Sequence, residues 1–393
     1  MVNNPYRGFI RYLDKYQKKK EFSYYDAVFL QQSIQTHYLN NYESSYETWQ
    51  KENEVNIDLN KTPTLIPTLI IGEKKEVKNI DISINSLKDL INILKEYPYD
   101  SKFEYNIDLH SLHNVKNELE KLNDMIGMET LKTAILQQMI YFIQELHIST
   151  DPLKNDYKHT ILIGPPGTGK TEIAKIIGNM YSKLGILKKN IFKKVTRTDL
   201  VAGYLGQTAI KTKKVIDECL GGVLFIDEAY SLGDDSFSKE CMDTLCEALS
   251  DHKDDLMVIV AGYEKELNET FFKINSGMHS RFIWKFGIDS YTPKELMLIF
   301  EKQIFENGWK INTEFILKES WFQKNKDYFL HYGRDMEILF SYVKISHAQR
   351  IFGKDKKEKK YINEEDLDNG LKLFIQHKNI SKPDLTSLYS MYV

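Results

Sequence analysis

The sequence is short of cysteine, arginine and long apolar runs, and it lacks a strong charge of either sign. Its three cysteines, Cys219, Cys241 and Cys246, cannot pair off evenly and lack zinc-site spacing. That excludes a disulfide scaffold. Cys241 and Cys246 fall in a helical stretch and are expected to act as small buried apolar residues in a reducing, intracellular setting. The most apolar stretch near the front, Leu65 to Ile71, is broken by Pro67 and Thr68. It falls far short of the ~20 residues a membrane helix requires. The opening MVNNPYRGFIRYLDKY carries charges inside its first apolar stretch, which argues against a signal peptide, so a soluble protein is expected. A formal charge of −3 gives no general electrostatic case for nucleic acid or a membrane surface. Only six arginines occur: Arg7, Arg11, Arg197, Arg281, Arg334 and Arg350. Lysine supplies nearly all other positive charge, so the retained guanidiniums mark places where a forked donor matters.

At 393 residues the chain exceeds what one core usually serves, and two or three domains are expected. Residues 1 to about 118 read as a separate mixed front region. Within it Phe22 to Lys51 is expected to be helical, Thr68 to Gly72 and Ile80 to Ile84 to be strands, and Leu87 to Leu94 a helix. Nothing there carries recognisable chemistry. From Glu129 to His147 apolar residues fall on one helical face, with Leu131, Ile135, Leu136, Met139, Ile140, Ile143 and Leu146 in register. His159 to Ile163 reads as a strand and Glu172 to Leu184 as a helix. Gly222 to Ile226 and Leu256 to Ala261 are continuous apolar runs, the mark of strands covered on both faces. The alternation predicts an α/β domain with a parallel sheet flanked by helices, over about 119–290. After Tyr291 strand signals fade, and helices such as Pro293 to Glu306 and Asp335 to Ile351 predict a small helical domain over 291–393. The charge run Gly353 to Lys360 reads as a solvated turn.

Residues 164–171 read GPPGTGKT: Gly164, Pro165, Pro166, Gly167, Thr168, Gly169, Lys170 and Thr171. The glycines let the backbone curl so that several N–H groups converge on phosphate oxygens. Lys170 supplies a point charge for the β- and γ-phosphates, and the Thr171 hydroxyl a ligand for magnesium. An apolar strand before the loop and an amphipathic helix after it, which adds its positive dipole end, are the context this motif requires. Asp227 follows fifty-seven residues after Lys170, in GGVLFIDE. A buried strand ending in two carboxylates suits a phosphate site: Asp227 for the magnesium shell, Glu228 to polarise the attacking water.

With both motifs in hand the chain resembles an AAA ATPase. The stretches Asp199 to Thr208 (DLVAGYLGQT), Gly221 to Leu232 (GGVLFIDEAYSL), Val258 to Tyr263 (VIVAGY) and Asn275 to Phe282 (NSGMHSRF) resemble the CbxX/CfqX family, which includes red-type rubisco activases and a sporulation ATPase. The resemblance covers about Leu122 to Lys378. It departs from the family pattern at Ser276, where proline is usual, and at Gln207, where histidine is common. It implies ATP and Mg2+, a homo-oligomeric ring, usually of six subunits, and a protein client. It also implies roles for three further residues. Arg281 would be the finger reaching a neighbour's γ-phosphate. Arg334 would be the lid arginine sensing nucleotide within the same subunit. Tyr204 would project into a central pore and grip extended polypeptide. Where many AAA proteins place Asn or Thr near the γ-phosphate, this chain has Tyr263. A DNA loader or helicase-like ATPase, and a nucleotide-binding scaffold without turnover, are the alternative readings. The charge balance opposes the first, and the retained Lys170, Asp227, Glu228, Arg281 and Arg334 oppose the second. The front region would choose the client.

Overall fold

The runs Val223–Ile226 (β5) and Met257–Gly262 (β6) are buried along their whole length, as their unbroken apolar sequence requires. They form the middle of a five-stranded parallel sheet with Thr160–Ile163 (β3), Phe192–Val195 (β4) and Trp284–Gly287 (β7), in the order β4-β5-β6-β3-β7. Side chains alternate between the faces. Leu162, Phe225 and Ile259 enter one core, while Ile161, Leu224 and Val258 enter another. The helices Glu129–Ile143 and Lys170–Lys183 cover the first face, and Thr208–Cys219 and Ser236–Asp251 the second. Successive strands β3 and β4 are separated by two others, so the chain reverses direction of winding beside β3. Ligands of such sheets bind outside the carboxyl ends of the strands at that reversal.

The computed structural model describes residues 76–151, 154–204, 206–233, 235–275 and 277–378. The helix expected at Phe22 to Lys51 and the strand at Thr68 to Gly72 lie outside them, as does Ser276. The chain divides into two compact units, Met1–Lys78 with Ser101–Glu104, and Asn79–Asp100 with Tyr105–Val393. Glu76–Lys78 (β1) pairs with Phe103–Tyr105 (β2), of which Phe103 and Glu104 belong to the first unit. The second unit begins well before residue 118. Leu87, Leu90, Leu94, Leu112, Leu119 and Leu122 share one core with Leu162 and Ile173 of the sheet domain. The helix expected at Leu87 is present as Leu87–Glu96, with a capping box from Ser86 and Asp89.

Two local expectations are corrected. Ile80 to Ile84 is not a strand. Only Ile80 is buried, and the Asn106 side-chain amide accepts its N–H at 2.8 Å and donates to its carbonyl at 3.0 Å, in place of a ladder partner. The helix from Glu129 ends at Ile143 rather than His147, because Glu145 turns left-handed at φ 56°, leaving Leu146 exposed.

The carboxyl-terminal part has its own core of Leu296, Phe300, Phe322, Leu339, Phe340 and Phe374. It is built by helices Pro293–Glu306, Glu319–Asn325, Tyr332–Ile351 and Glu364–Lys378, with a short parallel pair, Lys310–Ile311 (β8) and Tyr361–Ile362 (β9). Gly370 lets the last two long helices touch; a Cβ there would lie 2.8 Å from Val343 Cα. Arg350 ties this bundle by donating to both Asp366 oxygens (2.8 and 3.0 Å) and to Glu358 (3.0 Å). The fork that made arginine notable in the sequence is used here for structure.

Candidate functional site

At the carboxyl end of β3 the chain leaves the sheet through Gly164, whose N–H donates to Gly262 O at 3.3 Å. Gly167 and Gly169 are left-handed, at φ 73° and 89°, a conformation that side chains resist. Gly169 opens the helix Lys170–Lys183 with no side-chain cap, so its first N–H groups face the loop. The Thr168 hydroxyl closes the turn by donating to Pro165 O at 2.8 Å. Lys170 lies back over the loop, donating to Gly164 O at 2.8 Å and Pro165 O at 2.7 Å, with Nζ 5.7 Å from the Tyr263 ring centre. Burial pushes its ammonium below the ordinary value; Asp227 and Glu228 oppose that fall and Arg334 adds to it. An anion at the loop would replace the two carbonyls as partners of this charge.

One strand over, β5 delivers Asp227 and Glu228. Asp227 N–H donates to Val195 O at 3.0 Å, so the sheet ladder continues past the last strand residue. Its Oδ1 accepts the Glu228 N–H at 3.1 Å, and its Oδ2 lies 2.6 Å from Lys194 Nζ. Glu228 is left-handed at φ 51°, a strained state for a side chain, held by a short turn in which Ser231 N–H donates to its carbonyl at 2.8 Å. The strain turns Glu228 out of the strand and leaves its side chain exposed beside the loop.

The helical lid closes the site from above. Gly333 N–H donates to Gly167 O at 3.1 Å, and a Cβ on Gly333 would lie 2.9 Å from that oxygen, so glycine is what lets the two backbones meet. Tyr291, in the connection to the lid, donates to Thr168 O at 3.3 Å. The resulting cleft of about 660 Å³ is lined by Pro166 to Thr171, Asp227, Glu228, Tyr230, Tyr263 and Arg334. That is ample for a nucleotide-sized ligand.

Lys170, Thr171, Asp227, Glu228 and Arg334 are therefore brought together. Gly164 and Pro165 stand behind the cleft and supply carbonyls to Lys170. Arg281 and Tyr204 do not line it. Arg281 ends the short helix Gly277–Arg281, donating from Nε to Ser250 Oγ at 2.9 Å and from Nη1 to Gly277 O at 2.6 Å. Tyr204 stands at a bend, 74% exposed. The segment around it is tied down on either side. Ala202 N–H donates to Thr208 Oγ1 at 3.1 Å, and Lys211 Nζ donates to Thr198 O and Val201 O.

Sequence reasoning missed several wall residues. Met125 and Ile126 line the cleft, held by buried Lys132, whose Nζ donates to Asn123 O at 3.1 Å and Met125 O at 2.7 Å. A lysine on the apolar side of a helix was the available signal. Tyr230, also missed, lies with its ring 5.6 Å from that of Tyr263, the residue already singled out there, and both line the cleft with the acidic pair.

The site's donors fit a hard cation that arrives with phosphate. Thr171 and Asp227 offer oxygen only, as magnesium prefers. Among the described residues no group of three or more His, Cys, Asp or Glu could hold a metal. Phosphate and water oxygens would have to complete the shell.

Residues 160–284 match the ATPase family associated with various cellular activities (AAA). The putative cfxQ-like protein R730 of Acanthamoeba polyphaga mimivirus is 38% identical over 291 residues, covering 72% of this chain and 71% of that protein. The chain belongs to the CbxX/CfqX family of AAA ATPases. Another AAA relative, the stage V sporulation protein K of Bacillus subtilis (strain 168), is 33% identical over 258 residues, 64% of this AAA chain and 77% of that protein. Among solved structures, the Thermotoga maritima RuvB Holliday junction branch migration motor overlays 66% of this chain and 72% of its own. The TM-score is 0.46 at 20% identity, too distant to bear on function. Among the described residues no helix is long and apolar enough to cross a membrane.

For this AAA chain Lys170→Ala should weaken ATP binding tenfold or more, since a charge-assisted contact contributes roughly 1.5–3 kcal/mol. The loop N–H groups would retain weak binding. An equilibrium affinity within about threefold of wild type would remove Lys170 from the phosphate site.

Proposed function

We propose that the chain hydrolyses ATP to ADP and phosphate and uses the cycle to remodel protein complexes as a ring of subunits. The observation that supports this most is the single cleft in which loop, acidic pair and lid arginine converge. In this reading Lys170 leaves the Gly164 and Pro165 carbonyls for the β- and γ-phosphates. Thr171 and Asp227 hold Mg2+, which neutralises phosphate charge when bound. Glu228 orients a water and accepts its proton, and Arg334 clamps the phosphate from the lid. Loss of the γ-phosphate would loosen the lid about Tyr291, converting chemistry into movement.

The ring, six subunits by family resemblance, would place Arg281 of one subunit at the phosphate of the next. Tyr204, an exposed aromatic between Gly203 and Gly206, would grip extended polypeptide without demanding a particular sequence. Residues 1–118 would select the client, and the three unpaired cysteines suit an intracellular setting.

Phosphate release in the presence of an unfolded polypeptide tests the remodelling role. Addition should raise the wild-type rate severalfold, and Tyr204→Ala should lose that stimulation while keeping its basal rate. Stimulation by DNA in place of polypeptide, or an unchanged response in Tyr204→Ala, would overturn it.

A further inference from the structure

Lys194 stands on β4, the edge strand of the sheet, in register with Phe225. Asp227 lies two residues beyond Phe225, and its backbone is fixed by the Val195 carbonyl. The two side chains meet at 2.6 Å between Lys194 Nζ and Asp227 Oδ2. The other oxygen, Oδ1, accepts the Glu228 N–H. Both oxygens of the carboxylate that lines the cleft thus have partners within the chain. The two ends of the pair differ in freedom. The Asp227 side chain is 20% exposed, whereas that of Lys194 is 47% exposed and sits on a flexible stem. Lys194 does not line the cleft, so its charge acts there through Asp227.

We propose that Lys194 is a displaceable counterion that competes with the divalent cation for Asp227, and so sets how much magnesium the nucleotide site requires. This rests on the reading of Asp227 as a magnesium-shell residue. A carboxylate already neutralised by an ammonium attracts a second cation less, and the lysine must move off or share the oxygen. The electrostatic gain is modest, because a half-exposed partner is screened by water. The effect therefore belongs in the cation requirement rather than in folding. The sign is diagnostic. If Lys194 competes, removing its charge lowers the magnesium needed. If Lys194 instead holds Asp227 in the posture a cation uses, removing it raises the magnesium needed.

The test is equilibrium binding of a fluorescent ADP analogue to the full chain, titrated with MgCl2 at constant ionic strength. Lys194→Met should lower the half-saturating magnesium concentration about twofold to fivefold, on the scale of a screened ion pair. Binding in EDTA should stay within about twofold of wild type, and Lys194→Arg should keep the wild-type magnesium requirement. In an Asp227→Asn background, Lys194→Met should change nothing further, because the coupled partner is gone. An unchanged or raised magnesium requirement in Lys194→Met would sink this inference alone. Wild-type ADP binding that ignores magnesium would sink the Asp227 assignment, and this inference with it. Circular dichroism that matches wild type excludes a folding defect as the cause.

Discussion

Glu228→Gln is expected to bind ATP about as tightly as wild type while hydrolysing it at least a hundredfold more slowly. The amide keeps the size of the carboxylate and the left-handed turn at φ 51°, so the cleft keeps its shape. What it loses is the ability to accept a proton from water, and a positioned base contributes roughly 10²–10⁴ in rate. ATP that is bound but not consumed should also hold neighbouring subunits together. Size-exclusion chromatography in ATP should then show a longer-lived assembly for Glu228→Gln than for wild type. A turnover number near wild type would mean another group handles the water. Tyr230 and Tyr263, packed beside the acidic pair, would be the next residues to replace.

Arg281→Ala should retain ATP affinity and lose hydrolysis by about 10³ to 10⁵, or roughly 4–7 kcal/mol of transition-state stabilisation. Among the described residues Arg281 donates to the Ser250 hydroxyl and the Gly277 carbonyl. Losing two such partly exposed hydrogen bonds would cost about 1–3 kcal/mol of stability and leave catalysis almost untouched. The two roles differ by orders of magnitude in the steady-state rate. A near wild-type rate for purified Arg281→Ala would place the finger elsewhere.

Much of the ATPase core could be read in the sequence for identifiable physical reasons. Strands covered on both faces leave unbroken apolar runs, so VLFI and VIVA announced the middle of the sheet. A phosphate cradle needs glycine where the backbone turns left-handed, which left its print at Gly167 and Gly169. Scarce arginine pointed to forked contacts. Arg350 makes one with both oxygens of Asp366, whereas Arg197 reaches one Asp235 oxygen from Nη1 alone at 2.8 Å, and Arg334 lines the cleft. Contacts between distant segments left no such print. The alternation at Ile80 to Ile84 is the pattern of a strand, but Asn106 supplies the hydrogen bonds and no ladder forms. Leu87 to Leu112 read as part of a front region because helical periodicity names a buried face without naming what it is buried against. Lys194 was one lysine among many until β4 was placed beside β5.

The central claim is that each ATP site is completed by a neighbouring subunit. Mixing two inactive variants, Arg281→Ala and Lys170→Ala, and measuring phosphate release tests it most directly. In a mixed ring, a site with intact Lys170 can meet a neighbour carrying Arg281. Activity should therefore reappear on mixing, peak near equal proportions, and vanish when Glu228→Gln is added to the Arg281→Ala chain. If mixed assemblies form and no phosphate is released at any ratio, the site is not shared between subunits and the account is wrong.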